Sequence, residues 1–350
     1  MKKKIFVAVV SIAIFAVTFL GLQRLVMPKY MDDIVEGAFI SEYYQDAGDH
    51  DVIFVGDCEV YENFSPVQLW RDYGITSYIR GSAQQLIWQS YYLLEDTLRY
   101  EKPKVVVYNV QSLVHNEPQR EEYNRMTLHG MKWSKSKVKS IRASMTEEEQ
   151  FLDYVFPILR YHDRITDLEK SDLQYYFDKK QVSHNGYYMR VDMLPFEEPL
   201  AEEKPDDLTF GDNAMSYLEK LTKLCKDEGI ELLLVKAPSL SPAWYDEYEV
   251  QVEAYAKEHD LTYINYLELV DELELDYETD TYDGGLHMNL CGATKLSKHL
   301  GAVLQGQFGM TDHRGEDELD ELWQKKCDFY DEMIQKQKDE IETYGEVISY

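Results

Sequence analysis

Five short apolar runs, separated by segments with helical periodicity, restrict what this chain can fold into more than any other feature of its sequence. Val52 to Val55 ends in Gly56 and reads as a buried strand. Ser65-Pro66 then sets an N-cap before a proline at the first helical position, and Gly74 closes that short helix. Ser77 to Ile79 is a second strand. Gly81 turns the chain, Ser82 is placed as the next N-cap with Gln85 at the capping-box distance, and an aromatic-rich helix is expected to run through Tyr100 until Pro103. Lys104 to Val110 is the third strand. Asn213 to Glu228 is a helix stopped by Gly229, Ile230 to Lys236 the fourth strand, and Ala243 to His259 a helix. Thr262 to Asn265 is the fifth strand, followed by a helix from about Asn289 to Gln305. Alternation of this kind predicts an α/β domain, a doubly wound parallel sheet with right-handed crossovers, over residues 51–310.

The alternation pauses between Leu113 and about Gly211, where Tyr, His and charged residues mix with helical stretches such as Thr146 to Tyr161. Residues 113–211 are therefore read as a helical insertion, and the polar segment 28–50 as a linker. In the tail, 311–350, Leu319, Leu322, Trp323, Tyr330, Met333 and Ile334 recur at helical spacing among many charges, which predicts an amphipathic helix docked on the domain.

Ahead of the linker, Lys2, Lys3 and Lys4 precede Ile5 to Gln23, a run without a charged side chain. At 1.5 Å per residue it spans about 29 Å, close to the roughly 30 Å hydrocarbon core of a bilayer. Residues 1–27 are expected to be a cytoplasmic tip and a single transmembrane signal anchor, because a basic cluster resists translocation and no small-x-small cleavage site follows Leu22. The main domain is then extracytoplasmic. The chain has a formal charge of -29, and residues 1–27 hold four of its 36 bases and none of its 65 acids. A field of that sign repels phosphate backbones, so nucleic acid is excluded as a partner. The nine histidines form no His-x-x-x-His or His-x-His pair, and no metal is expected. Cys58, Cys225, Cys291 and Cys327 are too few and too scattered for a disulfide scaffold.

In an open parallel sheet, ligands bind beyond the carboxyl ends of the strands. Those ends carry Gly56-Asp57-Cys58, Arg80-Gly81-Ser82, Asn109 to Ser112, Ala237-Pro238-Ser239 and the loop Asp280 to Asn289. A thiol, small turn residues, an amide and an Asp/His pair thus fall at one edge. Each also has a plainer use: Cys58 as a small apolar residue, Asp57 as a cap, Asn109 as a strand terminator, and Asp283 with its glycines as a turn. Cys291, four residues after His287, would block the thiol if it bridged to Cys58. Arg120, Arg125, Lys132, Lys135, Lys137, Lys139 and Arg142 form a basic stretch that either attracts an anionic polymer or is a solvated face balanced by nearby acids. Trp88, Tyr91, Tyr92, Trp133 and Trp244 either stack on sugar rings or belong to the core.

Phe54-Val55-Gly56-Asp57-Cys58 resembles the first block of the SGNH, or GDSL-like, hydrolases, with Cys in place of Ser. Gly81 resembles the second-block glycine, Asn109 the third-block asparagine, and Asp283-Gly-Gly-Leu-His287 the last block, one residue longer than the usual Asp-x-x-His. The similarity covers about residues 50 to 308 without much of the insertion. It extends to SGNH-type proteins of Gram-positive cell surfaces, which often carry an amino-terminal anchor and include polysaccharide acyltransferases.

The resemblance implies a flavodoxin-like strand order of 2-1-3-4-5 and an acyl esterase or O-acyltransferase acting on a cell-surface polysaccharide through a thioester. Cys58 would be the nucleophile, His287 its base and Asp283 the orienting carboxylate; Gly81, Asn109 and the Cys58 N–H would bind the oxyanion. No cofactor is required, although a transferase would need an acyl donor, for which an integral-membrane acyltransferase is a possible partner. A helix amino terminus and a neighbouring imidazole would lower the Cys58 pKa. The alternative is a non-catalytic surface protein that keeps the fold and binds glycan or a partner protein in the cleft.

Overall fold

The computed structural model describes residues 2–27, 36–46, 48, 50–177, 181–196 and 204–349. The uncharged amino-terminal run lies within one helix, α1 (Lys2–Val26), long and apolar enough to cross a membrane. Length and composition suit an anchor and a signal sequence equally. Only its carboxyl-terminal turns, where Gln23 and Val26 are buried, rest on the domain. The segment expected to be a linker is instead structured over much of its described part. Helix α2 (Glu36–Asp46) buries Phe39, Ile40 and Tyr43 against the domain. Three apolar residues on one face are enough to dock a short helix, and the polar residues that follow concealed them in the sequence.

From there the chain runs through β1 (Val52–Gly56), the one-turn helix α3 (Cys58–Tyr61), α4 (Pro66–Tyr73), β2 (Ser77–Gly81), α5 (Ile87–Thr97) and β3 (Val105–Asn109). The insertion supplies α6 (Glu121–Gly130), α7 (Lys135–Ser144), α8 (Phe151–Val155), α9 (Ile158–Tyr161) and α10 (Lys170–Phe177). After it come α11 (Asp212–Glu228), β4 (Glu231–Lys236), α12 (Asp246–His259), β5 (Thr262–Asn265), α13 (Leu290–Phe308) and α14 (Asp317–Tyr344). All four strand pairings are parallel, in the order β2-β1-β3-β4-β5 expected from the sequence.

Strands β1, β2 and β3 are buried along their whole length; β1 is apolar throughout, whereas β2 carries Arg80, whose guanidinium donates to the Leu93 carbonyl and to Thr97 Oγ1. Val52 and Phe54 point to one core layer with residues of α4, α13 and α14, whereas Ile53 and Val55 point to the other, with α5, α11 and α12. The tail helix α14 belongs to the first layer: Trp323 stacks on Trp70 with ring centroids 5.1 Å apart, and Gln337 donates from its buried amide to the Met189 carbonyl.

Caps explain most boundaries. Ser65 accepts from the Gln68 N–H ahead of Pro66, and Gly74 and Gly229 end α4 and α11 in the left-handed conformation. Two expectations fail locally. Ser82 is not a cap, because its Oγ pairs with Thr127 Oγ1 at 2.5 Å while Gln85 reaches back to the Gly56 N–H and the Arg80 carbonyl. Helix α5 therefore begins at Ile87, with Gln89 accepting from the Leu86 N–H. The stretch Thr146 to Tyr161 is also not one helix: Pro157 separates α8 from α9, since a proline removes a helix donor and disfavours helical geometry in the residue before it.

Candidate active site

Strand β1 turns into α3 at Gly56, whose φ of +150° leaves no room for a side chain. A Cβ there would lie 2.7 Å from Val60 Cγ2 and 3.3 Å from Asn109 Cβ. Asp57 caps α3 by accepting from the Glu59 N–H at 3.2 Å, and Cys58 is its first residue. One turn on, Glu62 donates its N–H to the Cys58 carbonyl at 3.0 Å, placing both side chains on one side of the turn.

The second half of the site comes from the loop before α13. Asn289 caps that helix, accepting from the N–H groups of Cys291 and Gly292, and Asn63 fastens the loop to the segment after α3 by accepting from Met288 N–H at 2.7 Å. Gly284 and Gly285 take φ values of +77° and +94°. That left-handed pair curls the Asp-Gly-Gly-Leu-His segment back on itself and lets Asp283 reach His287. Asp283 accepts from the His287 backbone N–H at 2.8 Å and lies 2.6 Å from its ring Nδ1. Asp283 thus holds the Nδ1 side of the ring. Cys58, Glu62 and His287 bring their sulfur, oxygen and nitrogen atoms within 4.8 Å of one another.

Glu62 is a member of this cluster that sequence reasoning missed. Its Oε2 lies 3.3 Å from His287 Nδ1 and accepts from the Tyr282 hydroxyl. Its signal in the sequence was its position four residues after the thiol, on the same helical turn. Electrostatics follow from the grouping. Burial pulls the His287 pKa down, but the charge of Glu62, then Cys58 and the Asp283 hydrogen bond, outweigh it and hold the imidazolium well above its ordinary range. Burial pushes the Cys58 thiol up to about 11 against the pull of His287, with Asp57 and Glu62 adding to the rise. The expectation of a lowered thiol pKa is thus reversed. A one-turn helix contributes little dipole, and the surrounding carboxylates oppose a thiolate.

Asn109 is not free to bind an oxyanion. Its amide nitrogen donates to Asp57 Oδ1 at 3.1 Å and Glu59 Oε2 at 2.9 Å, and its oxygen accepts from the Ala237 N–H at 3.1 Å. It belongs to a buried charge network beneath Cys58, in which Lys236 Nζ donates to both Glu59 oxygens at 2.9 Å and to the Ala237 carbonyl at 2.8 Å. Burial, reinforced by the charge of Glu59, pushes the Asp57 pKa up to about 7. Lys236 showed itself in the sequence only as a charge closing an apolar strand. Gly81 pairs in register with Gly56, and a Cβ on it would crowd Tyr61 Cδ1 at 3.1 Å, so packing alone calls for glycine there.

A pocket of about 390 Å³ opens above Cys58 and His287, lined also by Asp57, Glu59, Gln84, Gln111, Gln119 and Arg120. Of the basic stretch, Arg120 reaches it. Arg125 is buried on Glu121, Lys137 donates to the Met131 carbonyl, and Lys139 pairs with Glu95. Trp88 is buried in the core, and Trp244 packs on Tyr248. All four cysteines are free, and Cys291 is exposed, so no bridge blocks Cys58. Although no metal spacing was visible, thiol, imidazole and carboxylate together are a donor set that suits a thiophilic divalent ion. No model of a known protein family matches the chain, nor does any curated protein.

Proposed function

We propose that the chain is an SGNH-like acyl esterase or O-acyltransferase that works on an extracytoplasmic cell-surface polysaccharide through Cys58. What supports this reading is that His287 lies 2.6 Å from the Asp283 carboxylate and within 4.8 Å of the Cys58 sulfur, and that Cys58 and His287 line one pocket. In the reaction, Cys58 attacks an acyl carbonyl while His287 Nε2 takes the thiol proton and passes it to the leaving alcohol. Water or an acceptor hydroxyl then resolves the thioester with the same imidazole as base. Asp283 and Glu62 stabilise the imidazolium in each step. The oxyanion falls to the Cys58 and Gly81 N–H groups, since the Asn109 amide is spent on carboxylates. A hydroxyl-rich ligand suits the walls: Gln84, Gln111 and Gln119 line the pocket, and the buried Gln111 Oε1 makes no hydrogen bond among the described residues.

The raised thiol pKa favours a second reading, a non-catalytic cleft that binds glycan or a partner protein. Hydrolysis of p-nitrophenyl acetate by the detergent-solubilised chain separates the two. Cys58→Ala and His287→Ala are expected to fall to similar rates, on the order of 10³-fold below the parent, because members of a triad act as a unit. Parent activity that both variants retain would exclude the nucleophile assignment.

A further inference from the structure

The insertion and α1 meet at a defined depth. Helices α9 and α10 and the 3₁₀ turn His162–Thr166 between them all pack on α1. The Phe156 ring lies 6.1 Å from that of Phe19, and Arg164 donates to the Val26 carbonyl at 2.9 Å. Phe19 is four residues short of Gln23, where the uncharged run ends, or about 6 Å inside it along the helix axis. If that run lies in hydrocarbon, the elements touching Phe19 stand at the boundary between acyl chains and headgroups. What they expose there is apolar: Leu159, Ile165 and Leu173 are 53%, 55% and 51% exposed, and Phe156 is exposed beside α1.

We propose that this apolar edge of the insertion is seated in the surface of the bilayer that α1 crosses, so that the domain is held on the membrane by a second, monotopic contact. This rests on the reading of α1 as a membrane span. Continuity decides the occupant, because the three elements that pack on α1 where it enters the domain each carry an exposed apolar side chain. Charge does not supply the attraction. The chain is strongly acidic, and the two arginines of this region are already paired, Arg160 with Glu121 and Arg164 with Asp172, so anionic lipid gains little from it. The seat also reaches the active pocket. Arg160 donates to both oxygens of Glu121, at 3.0 and 3.3 Å, and Glu121 adjoins Arg120 in the pocket wall.

The test is quenching of tryptophan emission in the full chain reconstituted into vesicles of dibrominated phosphatidylcholine, with unbrominated vesicles as reference. Leu159→Trp and Ile165→Trp probe the seat, Phe15→Trp the span, and Val250→Trp the exposed side of α12; parent emission is subtracted in each case. The added emission at 159, 165 and 15 should be quenched by about half or more, and that at 250 left unchanged. Quenching at 15 without quenching at 159 and 165 overturns the seat and leaves the anchor standing. No quenching at 15 overturns both. Blue-shifted but unquenched emission at 159 and 165 also overturns the seat, since a second copy of the chain would then cover the face.

Discussion

At the scale of residues, the chemistry turns on how many protons Cys58 and His287 share. With the thiol raised and the imidazolium favoured by Glu62 and Asp283, both members of the pair are biased towards holding their protons. Attack needs one of them gone. Rate should therefore rise with pH through a His287 transition lying above the ordinary histidine range, whether read by iodoacetamide labelling of Cys58 or by ester hydrolysis. Glu62→Gln keeps an acceptor for Tyr282 but removes an anion from the imidazolium, so the same limb should move to lower pH. A limb that stays in place or moves to higher pH would show that Glu62 does not control the pair. The same shift affects stability. A histidine raised in the folded state contributes fully below its unfolded pKa, near 6.5, and that contribution is lost as pH rises through the folded value. Cys58, Asp283 and His287 were legible because they follow strand ends, where ligands bind. Glu62 was not, because its partner lies far along the chain and a lone acid after a short helix carries no mark. The direction of the thiol shift was misread because a helix end and an imidazole are visible in sequence, whereas burial among carboxylates is not.

At the scale of elements, strand β4 closes its run of Leu and Val with a lysine, and that lysine neutralises the buried Glu59 carboxylate. Lys236 and Glu59 are both buried, so removing one leaves the other uncompensated. Lys236→Ala should cost about 3–5 kcal/mol in urea unfolding of the solubilised chain, while Lys236→Met combined with Glu59→Gln should recover most of the loss. If the double variant is no more stable than the single one, the cost comes from packing rather than from an orphaned charge. Strands β1, β3 and β4 were readable because a parallel sheet covered on both faces favours apolar runs, β2 and β5 by their place in the alternation, and Ser65, Gly74 and Gly229 marked helix ends by their own chemistry. Helix α5 was misplaced for the opposite reason. Ser82 and Gln85 carry a capping signature, but long-range bonds to Thr127, Gly56 and Arg80 use the same atoms. Helix α2 was missed because three apolar residues in a polar stretch acquire meaning only from the surface they cover.

At the scale of the whole molecule, orientation follows from the two ends of α1. Lys2, Lys3 and Lys4 lie at one end, and the folded domain grips the other through Arg164 and the elements around Phe19. Translocating three clustered lysines past the hydrocarbon core is costly, whereas the segment after α1 offers only scattered charge, so the amino terminus should stay inside and everything after about Lys29 should lie outside. The acidic domain agrees with this placement, because the anionic inner leaflet would repel it. An epitope tag fused after Tyr350 reads the arrangement directly. Protease added to intact, wall-stripped cells should remove the tag, and the membrane pellet without protease should retain it. A tag that survives until the cells are permeabilised would put the domain in the cytoplasm. A tag found in the medium before any protease is added would mean that α1 is cleaved as a signal peptide, and the anchor and the membrane seat built on it would both be abandoned.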